Sequence, residues 1–197
     1  EIFDKFLEEQ KVWLRLVGVP PMFLHPMEHP ETSRAHYSKK TVDLEFEYPF
    51  GIKELTGLSH RGDYDLQRHQ EYSKQSLEVF DENTKEKFIP HVIEPTVSLD
   101  RTLLAVLVSS YSEINEGEDV RVVLKFPANI APYKVCVSPL LKNKPELVHK
   151  AREVFGMLKK EFGNVVYDDN GNIGKRYRRQ DEIGTPWCVV IDFDTIG

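Results

Sequence analysis

The chain predicts two folds in succession: an α+β unit built on an antiparallel sheet, then an α/β unit of βαβαβ type. Three observations carry this. Residues 41–60 alternate apolar and polar side chains about a Pro49-Phe50-Gly51 turn, as antiparallel strands with one wet face do. The run Leu103-Leu104-Ala105-Val106-Leu107-Val108 is apolar all round, as expected of a helix buried against a sheet. Beyond Pro132 the rhythm becomes strand, helix, strand, helix, strand, which calls for parallel strands joined by crossovers.

Taken in order, residues 2–17 place Phe3, Phe6, Leu7, Trp13, Leu14 and Val17 at helical spacing, and Gly18 with Pro20-Pro21 ends the helix. Pro20–Pro30 holds four prolines and two histidines and reads as an ordered loop. His25 and His29 are four apart, as zinc ligands on a helix can be, but Pro26 and Pro30 argue against that helix. In the strand that follows, Val42, Leu44, Phe46 and Tyr48 form one face. Asp43, Glu45 and Glu47 form the other, read as solvated unless the sheet floors a site. Ile52–His60 returns antiparallel, Asp63–Lys74 is helical, and Leu77–Phe80 and Phe88–Ile93 are strands joined by Asp81-Glu82-Asn83. The second of these ends in a carboxylate, Glu94, followed by Pro95 and Thr96.

After the apolar helix the composition shifts. Glu113–Asp119 is acidic and polar, Val120–Phe126 is a strand and Pro127–Pro132 a linker. Tyr133–Leu140 is a buried strand. The next helix carries Leu147, Val148, Ala151, Val154, Phe155, Leu158 and Phe162 on one face, with Pro145 in its first turn and Gly163 at its exit. Val165–Tyr167 is a strand, Ile173–Glu182 a helix and Trp187–Phe193 a strand, with Trp187 and its neighbouring aromatics in the core.

The 197 residues carry 26 Lys and Arg against 32 Asp and Glu, a net charge of −6, which excludes a general nucleic-acid coat or a membrane-surface protein. No apolar run spans a membrane, and no signal pattern opens the chain. The two cysteines, Cys136 and Cys188, lie in apolar runs and read as core residues of a reduced, cytoplasmic compartment. A helix already under way at Glu1, and an end that merely follows a strand, make the chain read as a fragment.

Arg101 opens the apolar helix, where a cation opposes the helix dipole and calls for an anionic partner. That partner is either a ligand or a nearby acid such as Asp100. Lys175, Arg176, Arg178 and Arg179 form a basic cluster in an acidic chain, read either as a phosphate-contacting patch or as a solvated helix face beside Asp181 and Glu182.

Four segments, in order, resemble the glycyl-tRNA synthetases, homodimeric class II aminoacyl-tRNA synthetases. They are Ala35–Asp43, the stretch Glu54-Leu55-Thr56-Gly57-Leu58-Ser59-His60-Arg61-Gly62-Asp63-Tyr64-Asp65-Leu66, the motif-3-like Glu94-Pro95-Thr96-Val97-Ser98-Leu99-Asp100-Arg101, and Gly171–Pro186. The resemblance implies that residues 1–127 are the C-terminal part of a class II catalytic domain and 128–197 a truncated anticodon-binding domain. It implies ATP-dependent activation of glycine to glycyl-adenylate and transfer to glycine tRNA, with Mg²⁺ and in a homodimer. It implies that Glu54, Leu55, Ser98, Leu99, Asp100 and Arg101 contact ATP, with Arg101 on the γ-phosphate. Arg61, Glu94, Pro95, Thr96, Val97 and Ser98 would line the glycine site. By the same resemblance Arg101 and Arg61 would be the catalytic pair, while tRNA contact by Lys175, Arg176, Arg178 and Arg179 stays one of the two readings of the basic cluster. Thr96 stands where the family often has serine and Ser98 where motif 3 commonly has glycine. Motifs 1 and 2 would precede Glu1, so the resemblance implies exposed apolar sheet surface and an inactive piece. The competing reading is a non-catalytic, synthetase-like binding module of the polymerase accessory-subunit type. Such relatives lose substrate-site charges, whereas Glu54, Arg61, Glu94 and Arg101 are all present.

Overall fold

The computed structural model describes residues 1–116 and 119–197; residues 117–118, inside the acidic stretch, lie outside the described residues. The chain divides into two compact units, one of Glu1–Arg15 with Val19–Ala105, the other of Leu16–Gly18 with Val106–Gly197.

The first unit is a four-stranded antiparallel sheet in the order β1 (Leu24–Glu28), β2 (Lys40–Tyr48), β3 (Gly51–Gly62), β6 (Val92–Val97). The alternation in β2 behaves as predicted: Val42, Leu44, Phe46 and Tyr48 are buried and Asp43, Glu45 and Glu47 face away from them. Helix α1 (Ile2–Leu16) adds Phe3 and Leu14 to the buried side, where Phe3 packs with Val42 and Leu58. Helix α2 (Tyr64–Ser73) follows β3.

Three expectations need correcting here. Pro20–Pro30 is not all loop, because Leu24–Glu28 pairs with β2. Pro26 has no N–H to give, and a sheet edge is where a strand tolerates that loss. The strands expected at 77–80 and 88–93 are instead a short hairpin, β4 (Val79–Phe80) with β5 (Lys87–Phe88), and a separate β6 that runs on through Glu94 and Pro95 to Val97. Here too the proline lies in an edge strand, paired opposite Leu58. Helix α3 (Leu99–Ser110) is not buried all round: Thr102, Ala105 and Val106 are buried, while Leu99 and Leu103 are 81% and 59% exposed. Exposed apolar surface is carried by this helix stripe and also by strand residues, Ile52 in β3 and Val97 in β6.

In the second unit, β7 (Tyr111–Glu116) pairs with β8 (Asp119–Leu124), so the acidic stretch contributes a strand that composition alone did not reveal. The βαβαβ pattern holds. A parallel sheet runs β10 (Val165–Tyr167), β9 (Val135–Pro139), β11 (Trp187–Ile191), connected through α4 (Pro145–Phe162) and α5 (Ile173–Ile183). Pro145 opens α4 and Gly163, at φ +71°, closes it. Val135, Val137, Leu147, Ala151, Val165 and Ile191 make the core. The expected linker is ordered, with Ala131 buried. The last strand stops at Ile191, because Asp192 caps a short helix, α6 (Phe193–Ile196). Trp187 is not core. It begins β11 at the rim of the sheet and is 52% exposed, and Phe193 is exposed with it. Cys136 and Cys188 are free thiols opposite each other on β9 and β11. Their mutual hydrogen bond and burial push the Cys188 thiol above its ordinary range.

Candidate active site

Two irregularities in β3 shape the open face of the first sheet. Between Leu44 and Glu45 the pairing slips, so Glu45 faces Glu54 and Leu44 faces Thr56, leaving Leu55 as the extra residue. Such a bulge sends neighbouring side chains to one side. Leu55 and Thr56 are both 1% exposed on the buried side, so Glu54 and Gly57 fall together on the open side. A Cβ on Gly57 would lie 3.1 Å from Asp43 Oδ1 and 3.8 Å from Glu54 Oε1. A glycine inside a central strand removes packing from the sheet; here it leaves bare floor between Asp43 and Thr96, its two register partners. The second slip, between His60 and Gly62, frees Arg61 from the ladder. Gly62 then turns at φ +62° against Lys39, where a Cβ would stand 2.7 Å from Lys39 Cε.

Arg61 marks one end of this face. Its Nη1 donates to Glu94 Oε2 at 2.5 Å, its Nε and Nη2 donate to Asp65 Oδ2 and Oδ1 at 2.5 and 3.1 Å, and its Cζ sits 4.0 Å from the Tyr37 ring centroid. The Asp65 and Glu94 carboxylates hold the Arg61 guanidinium charged far above any working pH. Arg61 in turn keeps the Asp65 carboxyl below its ordinary 3.8. This lowered value makes Asp65 stabilising above pH 3.8, a contribution lost as pH falls through the folded value.

Arg101 marks the other end. Its Nη1 donates to the Glu54 carbonyl at 2.8 Å and to Glu54 Oε2 at 3.4 Å. Its partner in the chain is therefore Glu54, not Asp100. Tyr48 donates to the Arg101 carbonyl at 3.2 Å and stacks on Phe50 at 5.1 Å. With Lys53, Glu54 and Leu104 these residues line a cleft of about 410 Å³. Ser98 caps α3, its Oγ accepting from the Arg101 N–H at 3.4 Å.

The remaining sequence candidates divide by face. Thr96 and Glu94 stand opposite Gly57 and Ser59 on the open side. Pro95 and Val97 pair with Leu58 and Thr56, whose side chains are buried, so they offer this site backbone alone. The same holds for Leu55. Leu99 and Asp100 are exposed in the first turn of α3. Asp43 is no freely solvated acid: His29 Nε2 lies 2.6 Å from it and leaves its side chain 14% exposed, while His25 meets Glu47 at 2.5 Å. The two histidines thus face separate carboxylates. Sequence reasoning missed Asp65, Tyr37, Gly57 and Tyr48 as parts of the site.

The basic cluster comes apart. Arg176 is 3% exposed and its guanidinium donates to the Pro139 and Gly171 carbonyls, so it is a buried brace and not a surface contact. Arg178 pairs with Asp119, and Arg179 grips Asp168 with both nitrogens at 2.8–3.1 Å. Lys175 is exposed. Arg176→Ala removes the donors to the buried Pro139 carbonyl and to the Gly171 carbonyl and is expected to cost about 1–3 kcal/mol, read as a lowered Tm. Lys175→Ala is expected to leave Tm unchanged. An unshifted Tm for Arg176→Ala contradicts the brace.

Residues 134–197 match the anticodon binding domain family. Over its full length the chain is 48% identical to the glycine–tRNA ligase of Malacoplasma penetrans. The chain is similar along its whole length to glycine–tRNA ligases. It is 43% identical over all its residues to the enzymes of that name from Ureaplasma urealyticum and Bacillus cereus. It spans 41–42% of the length of these glycine–tRNA ligases. Among the described residues, no helix is long and apolar enough to cross a membrane.

Proposed function

We propose that the chain is part of a glycine–tRNA ligase that activates glycine with ATP and transfers the glycyl group to tRNA. The observation that carries this reading is the pairing of two charged poles on one sheet face, Arg101 with Glu54 and Arg61 with Glu94, in a chain similar along its whole length to such ligases. Division of the chain into a catalytic part over 1–127 and an anticodon-binding part over 128–197 belongs to the same proposal, as does the homodimer.

Each pole suits one substrate. Arg101 presents a cation in a cleft with the exposed Phe50 ring, where a nucleoside triphosphate can lay its base on that ring and its γ-phosphate on the guanidinium. At the other pole Glu94 offers a carboxylate for the glycine ammonium and Arg61 a cation for its carboxylate. The carboxylate then attacks the α-phosphorus, forming the glycyl-adenylate as pyrophosphate leaves. This chemistry is mostly electrostatic positioning. Among the described residues no cluster of three or more acidic, His or Cys ligands is built for a metal; Mg²⁺ would be held chiefly by the ATP phosphates, with the half-exposed Glu54 carboxylate as one protein ligand, and would neutralise their charge. Crowding of the ammonium by Glu94, Thr96 and Asp43 excludes a larger side chain, the way a site selects the smallest amino acid.

The test is charging of glycine tRNA with labelled glycine by the complete protein. Labelled tRNA is the expected product; a folded protein that yields none from any amino acid would be a synthetase-like binding module. Lys175→Ala with Arg178→Ala is expected to raise the tRNA KM severalfold and flatten its salt dependence without touching adenylate formation. An unchanged salt slope removes these two residues from the tRNA contact.

A further inference from the structure

We infer that Asp65, backed by Tyr37, is a positioning residue that aims Arg61 at the amino acid. This inference rests on the functional reading above and extends it to a residue that touches neither substrate. A guanidinium has five N–H donors. Asp65 takes the Nε and one Nη2 hydrogen along one edge, which leaves Nη1 pointing to Glu94 and two donors over for a ligand carboxylate. Without Asp65 that edge is open and the long side chain is free to fold wholly onto Glu94, neutralising the carboxylate meant for the ammonium.

The backbone shows the need for such a clamp. Arg61 lies where β3 loses its pairing, so no ladder fixes its Cα direction. Asp65 is fixed instead, because it sits in the first turn of α2, where its charge also suits the helix dipole. The ring of Tyr37 covers one guanidinium face at 4.0 Å and is itself held edge-on by His36, which packs edge-on against Tyr64 beside Asp65. The cation is thus bounded along one edge and across one face, which leaves one hydrogen each on Nη1 and Nη2 for a ligand.

A helix-terminal acid with no further role predicts lost stability and nothing else, and the kinetics separate the two. In the complete enzyme, Asp65→Asn keeps the shape and one acceptor oxygen but loses the paired charge. It is expected to raise the glycine KM in ATP–pyrophosphate exchange by about tenfold or more, with the ATP KM unchanged and a small fall in Tm from the lost ion pair. In an Arg61→Lys background, whose single ammonium cannot use the bidentate clamp, the same change is expected to add less than about twofold. Tyr37→Leu gives an independent reading through a smaller rise in glycine KM that Tyr37→Phe does not produce. An unchanged glycine KM, or an equal rise in both KM values, overturns the positioning role. A wild-type enzyme with no glycine-dependent exchange overturns the functional reading and this inference with it.

Discussion

Arg101→Ala in the complete enzyme is expected to lower ATP–pyrophosphate exchange by about 10²–10³-fold, the usual loss when one positioned donor is removed from developing charge. The fold is expected to stay intact, because the guanidinium is half exposed and its bonds to Glu54 lie at the surface. An exposed pair of this kind contributes only about 0–1 kcal/mol to stability. Tyr48 holds the Arg101 backbone carbonyl, which the substitution keeps. The loss should therefore appear in kinetics and not in Tm. Arg101→Lys retains charge but not the planar fork and should recover part of the rate. Near-normal exchange in Arg101→Ala would remove this residue from the ATP site.

Glu94→Gln is expected to act at the other pole. Glu94 is half exposed in the free chain and a bound ammonium would cover it; losing one partner of a buried, hydrogen-bonded charge pair costs about 2–5 kcal/mol, so the glycine KM should rise by about 10² or more while the ATP KM holds. Glu94 is the only carboxylate that Arg61 Nη1 meets among the described residues, and Asp65 keeps the other edge of the guanidinium charged and placed in the variant. A rise in the ATP KM of the same size would place Glu94 in the nucleotide site instead.

The local patterns in the chain were legible where one face of an element decides its structure. The β2 alternation, the α4 stripe between Pro145 and Gly163, and the βαβαβ rhythm all appear as read. What escaped depends on partners distant in sequence. Pro26 argued for loop, yet an edge place opposite Leu44 makes it a strand residue. Trp187 looks like core in any apolar run, but a rim position exposes it. Arg176 is the plainest case. Arginine is rarely buried, and nothing nearby announces that the Pro139 carbonyl, 37 residues away, will receive it.

The site divides in the same way. Arg101 and Glu94 stood out by position, at a helix start and a strand end, and Arg61 and Glu54 through the family resemblance. Their meeting, by contrast, follows from two register slips in β3 that no periodicity shows. Asp65 and Gly57 lay inside a quoted segment without a role, because one is defined by the guanidinium edge it takes and the other by the side chain it lacks.

The most direct measurement is ATP–pyrophosphate exchange on the complete protein against a panel of amino acids. Exchange supported by glycine and by no other amino acid is the predicted result. Exchange with a larger amino acid, or none from a folded protein, would contradict the account.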